Sequence, residues 1–195
     1  MDPTTAQKIA MRDRILTVRR RRSLLEIGEA ATAIAAHLLA TEEVRRAATV
    51  AAYVSVGGEP GTGPLLDALV AAGRRVILPV LLPDSDLDWA VHAGRLVAAG
   101  RGLLEPAGPQ LGADAVAAAD VVLVPGLAVD GSGMRLGRGG GSYDRALGRV
   151  SVGTFTCVLL HDDELLDRVP TASHDRAVTA AVTPSGLSRF RPGPA

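Results

Sequence analysis

The apolar positions of the first forty residues fit two helices. One helix is predicted from Thr5 to about Arg20, and a second covers the segment LLEIGEAATAIAAHLLA. Ser23 directly precedes the second segment, and Glu26 comes three residues after Ser23. This spacing is the sequence pattern of a capping box. Four consecutive arginines at 19–22 lie at the junction of the two helices, where a cluster of cations is typical of a solvated helix end.

From residue 49 onwards, continuous apolar runs alternate with helical segments. Strands are predicted for TVAAYVS, RVILPV, LDWAV, DVVLVP, GTFTCVLL and AVTAAVT. Helices are predicted for TGPLLDALVAAG, with Thr62 as its N-cap and Gly73 at its end, and for 142–149. This alternation indicates an α/β fold with three layers, a mostly parallel sheet and helices on both faces. No linker interrupts the pattern, so we predict a single domain over 1–187 and a disordered tail over 188–195.

The charges of the chain balance, with 21 lysines and arginines against 21 aspartates and glutamates. A surplus of cations gives proteins affinity for phosphate backbones and anionic membranes, so we expect no nucleic-acid or membrane partner. Because no apolar run could span a membrane and no apolar signal segment begins the sequence, a cytoplasmic location is expected. The single cysteine, Cys157, excludes an internal disulfide and a cysteine-rich zinc site.

Lys8 is the only lysine of the chain. One explanation is that codon usage favours arginine and that a single lysine remains by chance. The other is that this position needs a compact ammonium group, for example to bind a phosphate. The absence of a Gly-Lys dipeptide excludes the P-loop pattern of many nucleotide-binding proteins. Lys8 is therefore a candidate phosphate ligand, on a helix surface that we expect to carry little of the core.

The candidate ligand site follows the predicted strand DVVLVP, because ligands of a largely parallel sheet bind where the carboxyl ends of strands lead into loops. The loop that begins at Pro125 holds the sequence GRGGG directly before a predicted helix. Amide N–H groups at 139–141 can form an anion-binding nest, and Arg135 and Arg138 add guanidinium groups that fit phosphate oxygens. This pattern favours phosphate or nucleotide binding over a simple turn. Ser142 distinguishes it from the dinucleotide-binding pattern GxGxxG.

Carboxylates accompany this loop. Asp144 lies in the first turn of the following helix, where an acid is either a partner of the helix dipole or a ligand of a cation. Because a carboxylate beside a phosphate would repel it, we expect Mg²⁺ between the two. Glu59 lies among glycines after the first predicted strand. At that place a carboxylate either binds a ligand or is simply exposed to solvent in a loop. Asp175, which follows His174, precedes the last predicted strand.

The segment PGLAVDGSGMRLGRGGGSYD resembles the defining segment of the 5-formyltetrahydrofolate cyclo-ligase family, also called 5,10-methenyltetrahydrofolate synthetase, which reads approximately PGLAFD..G.RLG.G.GYYD. Further segments are similar to other motifs of that family. The segment from Lys8 to Arg12 is similar to its N-terminal KxxLR, YVSVGGEPGT to its folate-contacting strand and loop, and GLLEP to its G(I/L)xEP. These motifs occur in the same order and cover nearly the whole chain.

The resemblance implies a fold of the transferase and sugar-phosphate isomerase-like kind that binds ATP, Mg²⁺ and a reduced folate. Asp144 and Asp175 would hold the metal, Arg138 and Tyr143 would be catalytic, and the protein would be a monomer. The implied ATP ligands are Lys8, Arg12, Arg135, Leu136, Gly137, Arg138, Gly139, Gly140, Gly141, Ser142 and Tyr143. The implied folate ligands are Val54, Glu59, Arg138, Gly139, Gly140, Gly141 and Ser142.

The implied reaction is the ATP-dependent cyclisation of 5-formyltetrahydrofolate to 5,10-methenyltetrahydrofolate with release of ADP and phosphate. Phosphorylation of the formyl oxygen would turn a poor leaving group into a good one, which needs positioning and charge neutralisation rather than a covalent nucleophile. Ser142 stands where the family usually has the first of two tyrosines, and Met134 where asparagine is common. The missing ring is expected to weaken packing against the folate.

Two other functions are compatible with the same residues. One is an ATP-independent transferase or isomerase of the same fold that acts on a phosphorylated substrate, since a fold does not fix a function. Such an enzyme has no evident use for Lys8 and Arg12. The other is a non-catalytic relative that binds nucleotide or folate, for which the paired carboxylates Asp144 and Asp175 would be unnecessary.

Overall fold

Seven strands form the central sheet of the protein, whose computed structural model describes residues 3–190. From one edge to the other the strands are Gly186–Arg189 (β12), Ala180–Thr183 (β11), Phe155–Leu159 (β9), Val121–Pro125 (β6), Thr49–Ala51 (β1), Arg75–Leu81 (β2) and Leu87–Val91 (β3). The inner strands run parallel, and each edge strand is antiparallel to its neighbour. The predicted mostly parallel sheet is therefore confirmed.

Shorter strands lie outside the central sheet. Leu96–Ala98 (β4) pairs antiparallel with Leu104–Pro106 (β5). A second small sheet is built from Ala128–Asp130 (β7), Arg135–Leu136 (β8) and Leu165–Leu166 (β10). The sequence did not predict these strands, because runs of two or three residues are too short to show an alternating pattern.

Helices lie on both faces of the sheet. The α-helices are Pro3–Arg19 (α1), Leu24–Ala40 (α2), Glu42–Arg46 (α3), Gly63–Ala71 (α4) and Ser142–Arg149 (α5). Short 3₁₀ segments cover Gly100–Gly102, Ala113–Ala118 and Asp162–Glu164.

Successive residues of the strands contribute to two apolar clusters. Val121 and Leu123 of β6 belong to the cluster that contains the buried side chains of α2 and α4, such as Ile34. Val122 and Val124 belong to the cluster that contains buried residues of α5 and of the 3₁₀ segment Ala113–Ala118. Because neighbouring strand residues point to opposite faces, the sheet is covered on both sides, and the predicted three-layer arrangement is confirmed.

The capping box before α2 has the predicted geometry. The Ser23 hydroxyl accepts a hydrogen bond from the Glu26 amide at 3.2 Å, and the Glu26 carboxylate accepts one from the Ser23 amide at 2.7 Å. Both donors belong to the first turn, where helix N–H groups have no partner within the helix. This reciprocal pair fixes the point at which α2 begins.

Three local predictions differ from the structure. Arg19 is buried, so the arginine run is not wholly a solvated helix end. The Thr62 side chain makes no cap hydrogen bond to α4, because its hydroxyl accepts one from the Ser55 amide instead. The predicted tail begins too early, since Ser188 and Arg189 belong to β12, whereas 191–195 lie outside the described residues.

Within residues 3–190, no single helix is long and apolar enough to cross a membrane. The helices α1 and α2 meet that requirement only when they are taken together, and they meet at a bend of 105°.

Candidate active site

The predicted site residues gather where the parallel strands end. The loop after β1 carries Glu59, and the loop after β6 contains the β7–β8 hairpin and the glycine-rich segment 137–141. Because β1 and β6 are parallel neighbours, these two loops leave the same edge of the sheet. The carboxyl edge of a parallel sheet is where ligands of α/β proteins bind.

The glycine-rich segment leads directly into α5. Gly141 is the N-cap of this helix and has a φ of 70°, and Gly139 has a φ of 102°. These left-handed conformations favour glycine because it lacks a Cβ. Within residues 3–190, no hydrogen bond engages the amide N–H groups of Gly139 and Gly140. These two amides and the positive end of the α5 dipole have the chemistry that an anion-binding site requires, as the sequence predicts.

Helix α1 brings one cation, Arg12, to this loop and a second, Lys8, to the segment before β11. The Arg12 Nε donates a hydrogen bond to the Gly137 carbonyl at 2.8 Å, and a Cβ at Gly139 would lie 3.4 Å from the Arg12 Cζ. The Lys8 Nζ contacts the Asp175 carboxylate at 2.5 Å. Lys8 is only 8% exposed, so the expectation of a position with little burial is wrong. A lysine is rarely buried without a partner, and Asp175 supplies that partner.

Asp144 lies on the first turn of α5 and is paired with Arg135. The Arg135 Nη2 contacts Asp144 Oδ1 at 3.1 Å, and its Nη1 donates to the Pro125 carbonyl at 3.1 Å. Because Arg135 is buried and held by these acceptors, it orients Asp144. A direct contact of Arg135 with phosphate stays a prediction.

The two carboxylates predicted to hold a metal are near neighbours. Asp144 Oδ1 accepts a hydrogen bond at 3.2 Å from the amide of Arg176, the residue that follows Asp175. Among the described residues, no group of three or more histidine, cysteine, aspartate or glutamate side chains could hold a metal ion. Two carboxylates nevertheless fit Mg²⁺, which keeps several waters and takes further oxygen ligands from phosphates. His174 is largely exposed, and its Nε2 lies 3.6 Å from Asp175 Oδ1.

Hydrogen bonds affect the charge state of Asp175. Burial alone would raise the pKa of this carboxyl, but the hydrogen bonds from Lys8 and from the Ala172 amide outweigh it and lower the pKa. The group is therefore an anion at neutral pH, the form that a cation or a protonated lysine requires.

Glu59 and Arg138 connect the two loops of the site. The Arg138 Nη2 contacts Glu59 Oε1 at 3.0 Å, and the other Glu59 oxygen accepts a hydrogen bond from the Val56 amide at 2.9 Å. Glu59 is 4% exposed, whereas the Arg138 side chain is 49% exposed. A buried carboxylate that is held in place on one side by an exposed guanidinium suits recognition of a polar ligand. Val54, three residues after β1 ends at Ala51, is partly buried against the core.

Two tyrosines border this region. The Tyr143 ring packs against both apolar clusters, and burial, with the negative charge of Glu59 adding to it, raises the pKa of its hydroxyl. Burial also raises the pKa of Tyr53, whose hydroxyl has no hydrogen-bond partner within residues 3–190. Both phenols therefore stay protonated and can donate a hydrogen bond. Tyr53 was not among the predicted site residues, because its apolar strand context indicates only packing.

Ser142 contacts the turn between β2 and β3. Its hydroxyl donates to the Ser85 carbonyl at 2.5 Å, and the Arg145 guanidinium donates to the same oxygen at 2.5 Å. Asp86 in this turn pairs with Arg149. The turn is thereby attached to α5, whose first residue, Ser142, stands where the resembled family usually has a tyrosine.

A buried ion pair that the sequence did not reveal lies behind the Glu59 loop. Arg19 at the end of α1 makes two hydrogen bonds to the Glu164 carboxylate, at 2.6 and 2.7 Å, and one to the Gly126 carbonyl at 2.7 Å. A Cβ at Gly58 would lie 2.8 Å from the Arg19 carbonyl oxygen. Nothing in the sequence marks Arg19 among four consecutive arginines, because the pairing depends on a residue 145 positions away.

Comparison with known proteins gives a consistent result. Residues 4–184 match the model of the 5-formyltetrahydrofolate cyclo-ligase family. The chain is 49% identical to a 5-formyltetrahydrofolate cyclo-ligase of Mycolicibacterium smegmatis over 142 residues, which are 70% of this chain and 73% of that one. It is 36% identical to the protein of that name from Escherichia coli over 165 residues, 82% and 89% of the two chains.

The fold is also similar to that of a solved structure. The 5,10-methenyltetrahydrofolate synthetase of Aquifex aeolicus superimposes with a TM-score of 0.82 and is 26% identical in sequence. The match covers 96% of this chain and 95% of that one.

Proposed function

This chain belongs to the 5-formyltetrahydrofolate cyclo-ligase family, and from that premise we propose that it closes 5-formyltetrahydrofolate to 5,10-methenyltetrahydrofolate with consumption of ATP. It is a ligase of folate one-carbon metabolism. We further propose that Mg²⁺ accompanies the nucleotide, that the protein acts as a monomer and that it works in the cytoplasm.

The observation that carries the residue assignments is the contact between α1 and the glycine-rich loop. Lys8 and Arg12 lie one helical turn apart and point their charges at Asp175 and Gly137 respectively. A helix that places one cation at a loop with unbonded amide groups and a second one turn away supports binding of a polyphosphate. We therefore assign the ATP phosphates to Lys8, Arg12 and the amides of the loop.

The folate is assigned to the other side of the same loop. The buried Glu59 carboxylate can accept hydrogen bonds from the N–H groups of a pterin ring, and Val54, in the same segment after β1, offers an apolar side chain. Arg138 contacts Glu59 and belongs to the segment assigned to the nucleotide. It thus lies where the formyl oxygen and the γ-phosphate would have to meet.

The chemistry then needs little more than alignment and neutralisation of charge. The formyl oxygen attacks the γ-phosphorus, the bond to the bridging oxygen breaks, and ADP leaves. The second folate nitrogen attacks the activated carbon, loses its proton, and phosphate departs with the former formyl oxygen. Arg138 is suited to neutralise charge on the transferring group, and the protonated Tyr143 hydroxyl to donate a hydrogen bond to it.

Asp144 and Asp175 would hold Mg²⁺ together with phosphate oxygens, and the ion would supply neutralisation of charge on the transferred group. Arg135 pairs with Asp144 and Lys8 pairs with Asp175, so the charge of each carboxylate is compensated by a cation of the protein itself. The same pairing restrains the positions of both carboxylates.

The test is the absorbance of methenyltetrahydrofolate during incubation with 5-formyltetrahydrofolate, with ATP and Mg²⁺ both present, with each omitted, and with EDTA. We expect product and stoichiometric ADP only when both are present. Product without ATP would favour an ATP-independent transferase or isomerase. Binding of both ligands without release of phosphate would favour a non-catalytic relative.

A further inference from the structure

Arg138 and Glu59 have different tasks in the proposed reaction, yet they are bound to each other. The Arg138 Nε and Nη2 both contact the same carboxylate oxygen, Glu59 Oε1, at 3.1 and 3.0 Å. The other oxygen, Oε2, accepts the hydrogen bond from the Val56 amide. Both oxygens of this buried carboxylate are therefore engaged by the protein itself.

The two members of this pair differ in how firmly they are held. Glu59 is buried, and its loop packs so closely on α1 that a Cβ at Gly58 would lie 2.8 Å from the Arg19 carbonyl oxygen. The Arg138 side chain is half exposed. Within residues 3–190, no other hydrogen bond or ion pair engages its guanidinium. Arg138 is therefore the partner that can leave, and Glu59 is the one that stays.

The cost of separating the pair depends on what replaces each partner. When Arg138 leaves, a buried carboxylate loses its counterion, which is unfavourable unless other donors take its place. The N–H groups of a pterin are such donors, and a γ-phosphate offers Arg138 another anion. Each ligand thus lowers the cost of separation that the other must meet. Transfer of Arg138 from Glu59 to the phosphate is favoured most when both ligands are bound.

We propose that Glu59 holds Arg138 away from the nucleotide until the folate binds, and so suppresses phosphoryl transfer to water. Glu59 is then a positioning residue for Arg138 as well as a folate ligand. This inference rests on the proposed function, which assigns the two ligands. In the suppressed reaction a water oxygen bonds to the γ-phosphorus, the bond to the bridging oxygen breaks, ADP leaves, and the water proton passes to solvent.

The first test measures phosphate release from Mg-ATP without folate, and the Kd of ATP, for the wild type and for Glu59→Gln. Glutamine keeps the size of the side chain and removes its charge. We expect hydrolysis to rise about fivefold and the Kd of ATP to fall about fivefold, since an ion pair with one exposed partner restrains Arg138 by about that factor. A Glu59 that only binds folate or only supports the fold would give neither gain.

Two further variants identify the cause of these gains. In the double variant of Glu59→Gln with Arg138→Gln, the extra hydrolysis should disappear, because it requires the freed guanidinium. Glu43→Gln breaks the pair with Arg189 outside the candidate site and should leave the rate and the Kd unchanged. The inference is wrong if Glu59→Gln gives no gain, or if the gain persists in the double variant.

Equilibrium binding to the wild type tests the same coupling without any substitution. Calorimetric titration gives the Kd of a non-hydrolysable ATP analogue with Mg²⁺, with and without saturating 5-methyltetrahydrofolate, which has no formyl oxygen. We expect about fivefold tighter binding of the analogue when the folate is present, and the same factor for the folate, because coupling is reciprocal.

The outcomes separate this inference from the proposed reaction. Equal Kd values of the analogue with and without folate, in a protein that forms the methenyl product, would refute the inference and retain the reaction. Coupled binding in a protein that forms no methenyl product would refute the reaction and retain the role of the Glu59–Arg138 pair.

Discussion

Lys8 is a buried charge of the fold to which the proposed function also assigns a phosphate contact. Its ammonium group is buried against Asp175, 167 residues away in sequence, and it lies one helical turn from Arg12 at the glycine-rich loop. Its uniqueness in the composition suggested a phosphate ligand, but burial and the pairing with Asp175 depend on tertiary structure. The role of Lys8 as a phosphate ligand thus stays a prediction from the sequence, whereas its partner Asp175 is known only from the structure.

We expect Lys8→Ala to lower kcat/KM about 100-fold, the usual effect of removing one group that stabilises transferring charge. Lys8→Arg should restore activity only in part, because a planar guanidinium does not replace a compact ammonium. Arg14→Ala removes a cation from an exposed position of α1 and serves as the matched control. Full activity of Lys8→Arg would show that the lone lysine reflects codon usage.

The same substitution has a readout that does not depend on turnover. Because the hydrogen bond from Lys8 helps to lower the pKa of Asp175, Lys8→Ala should raise the pKa of that carboxyl. An NMR titration of the carboxyl carbon measures this change directly. An unchanged Asp175 pKa would mean that the Ala172 amide alone holds the carboxylate as an anion.

At the scale of elements, α1 is attached across the loops at three points along its length. Lys8 reaches Asp175, Arg12 reaches Gly137 and Arg19 reaches Glu164. The contacts recur at intervals of four and seven residues, so they lie along one side of the helix. The position of α1 therefore determines the positions of the predicted ATP ligands Lys8 and Arg12. Of the three contacts, the ion pair of Arg19 is the most buried.

Glu164→Gln should destabilise the protein by about 3 to 5 kcal/mol, because it leaves the buried Arg19 charge without its counterion. The neighbouring pair of Arg22 with Asp163 supplies a matched control, since the Asp163 side chain is 54% exposed. Asp163→Asn should cost no more than about 1 kcal/mol. Urea unfolding at neutral pH measures both free energies. Equal costs for the two variants would contradict a special role for the buried pair.

Elements with strong local signals were predictable, and elements defined by distant pairing were not. The bounds of α5, 142–149, agree with the prediction because Gly141 ends the loop and polar residues follow at helical spacing. The β7–β8 hairpin lies within a segment whose glycines suggested only a loop, since its strands have two or three residues. In the candidate site, the types and the spacing of the residues predicted that the glycine-rich loop precedes a helix and carries arginines. The Glu59–Arg138 contact joins positions 79 apart and has no local pattern.

At the scale of the whole molecule, the sheet brings loops from distant parts of the sequence to one edge. The five parallel strands end together, so the segments that follow β1, β2, β6 and β9 share a surface. His161, in the segment after β9, accordingly contacts the loop after β1. Its Nε2 lies 3.0 Å from the Gly58 carbonyl, and its own amide donates to the Glu164 carboxylate at 2.9 Å. His161 therefore joins the segment after β9 to the loop that carries Glu59, and its contact contributes to the stability of this edge of the sheet.

The pH dependence of stability should report this contact. Burial lowers the pKa of His161; the hydrogen bond to Gly58 and the charge of Glu164 oppose that effect, and the charges of Arg22 and Arg19 add to it. The folded pKa is thus below the unfolded value of about 6.5, so the unfolded chain takes up the proton first. The contribution is fully present above the unfolded pKa and is lost as the pH falls toward the folded pKa.

We therefore expect the free energy of unfolding in urea to be lower at about pH 5.5 than at about pH 7.5, because His161 takes up more proton in the unfolded chain than in the folded protein, where its pKa is lower. Carboxyl groups with lowered pKa values, such as Asp130 and Asp175, act below about pH 4 and stay ionised throughout. His161→Gln keeps an N–H donor for the Gly58 carbonyl but cannot titrate, so the difference between the two pH values should shrink. A variant that retains the full difference would place the responsible proton on another group and leave the His161 contact without a role in pH dependence.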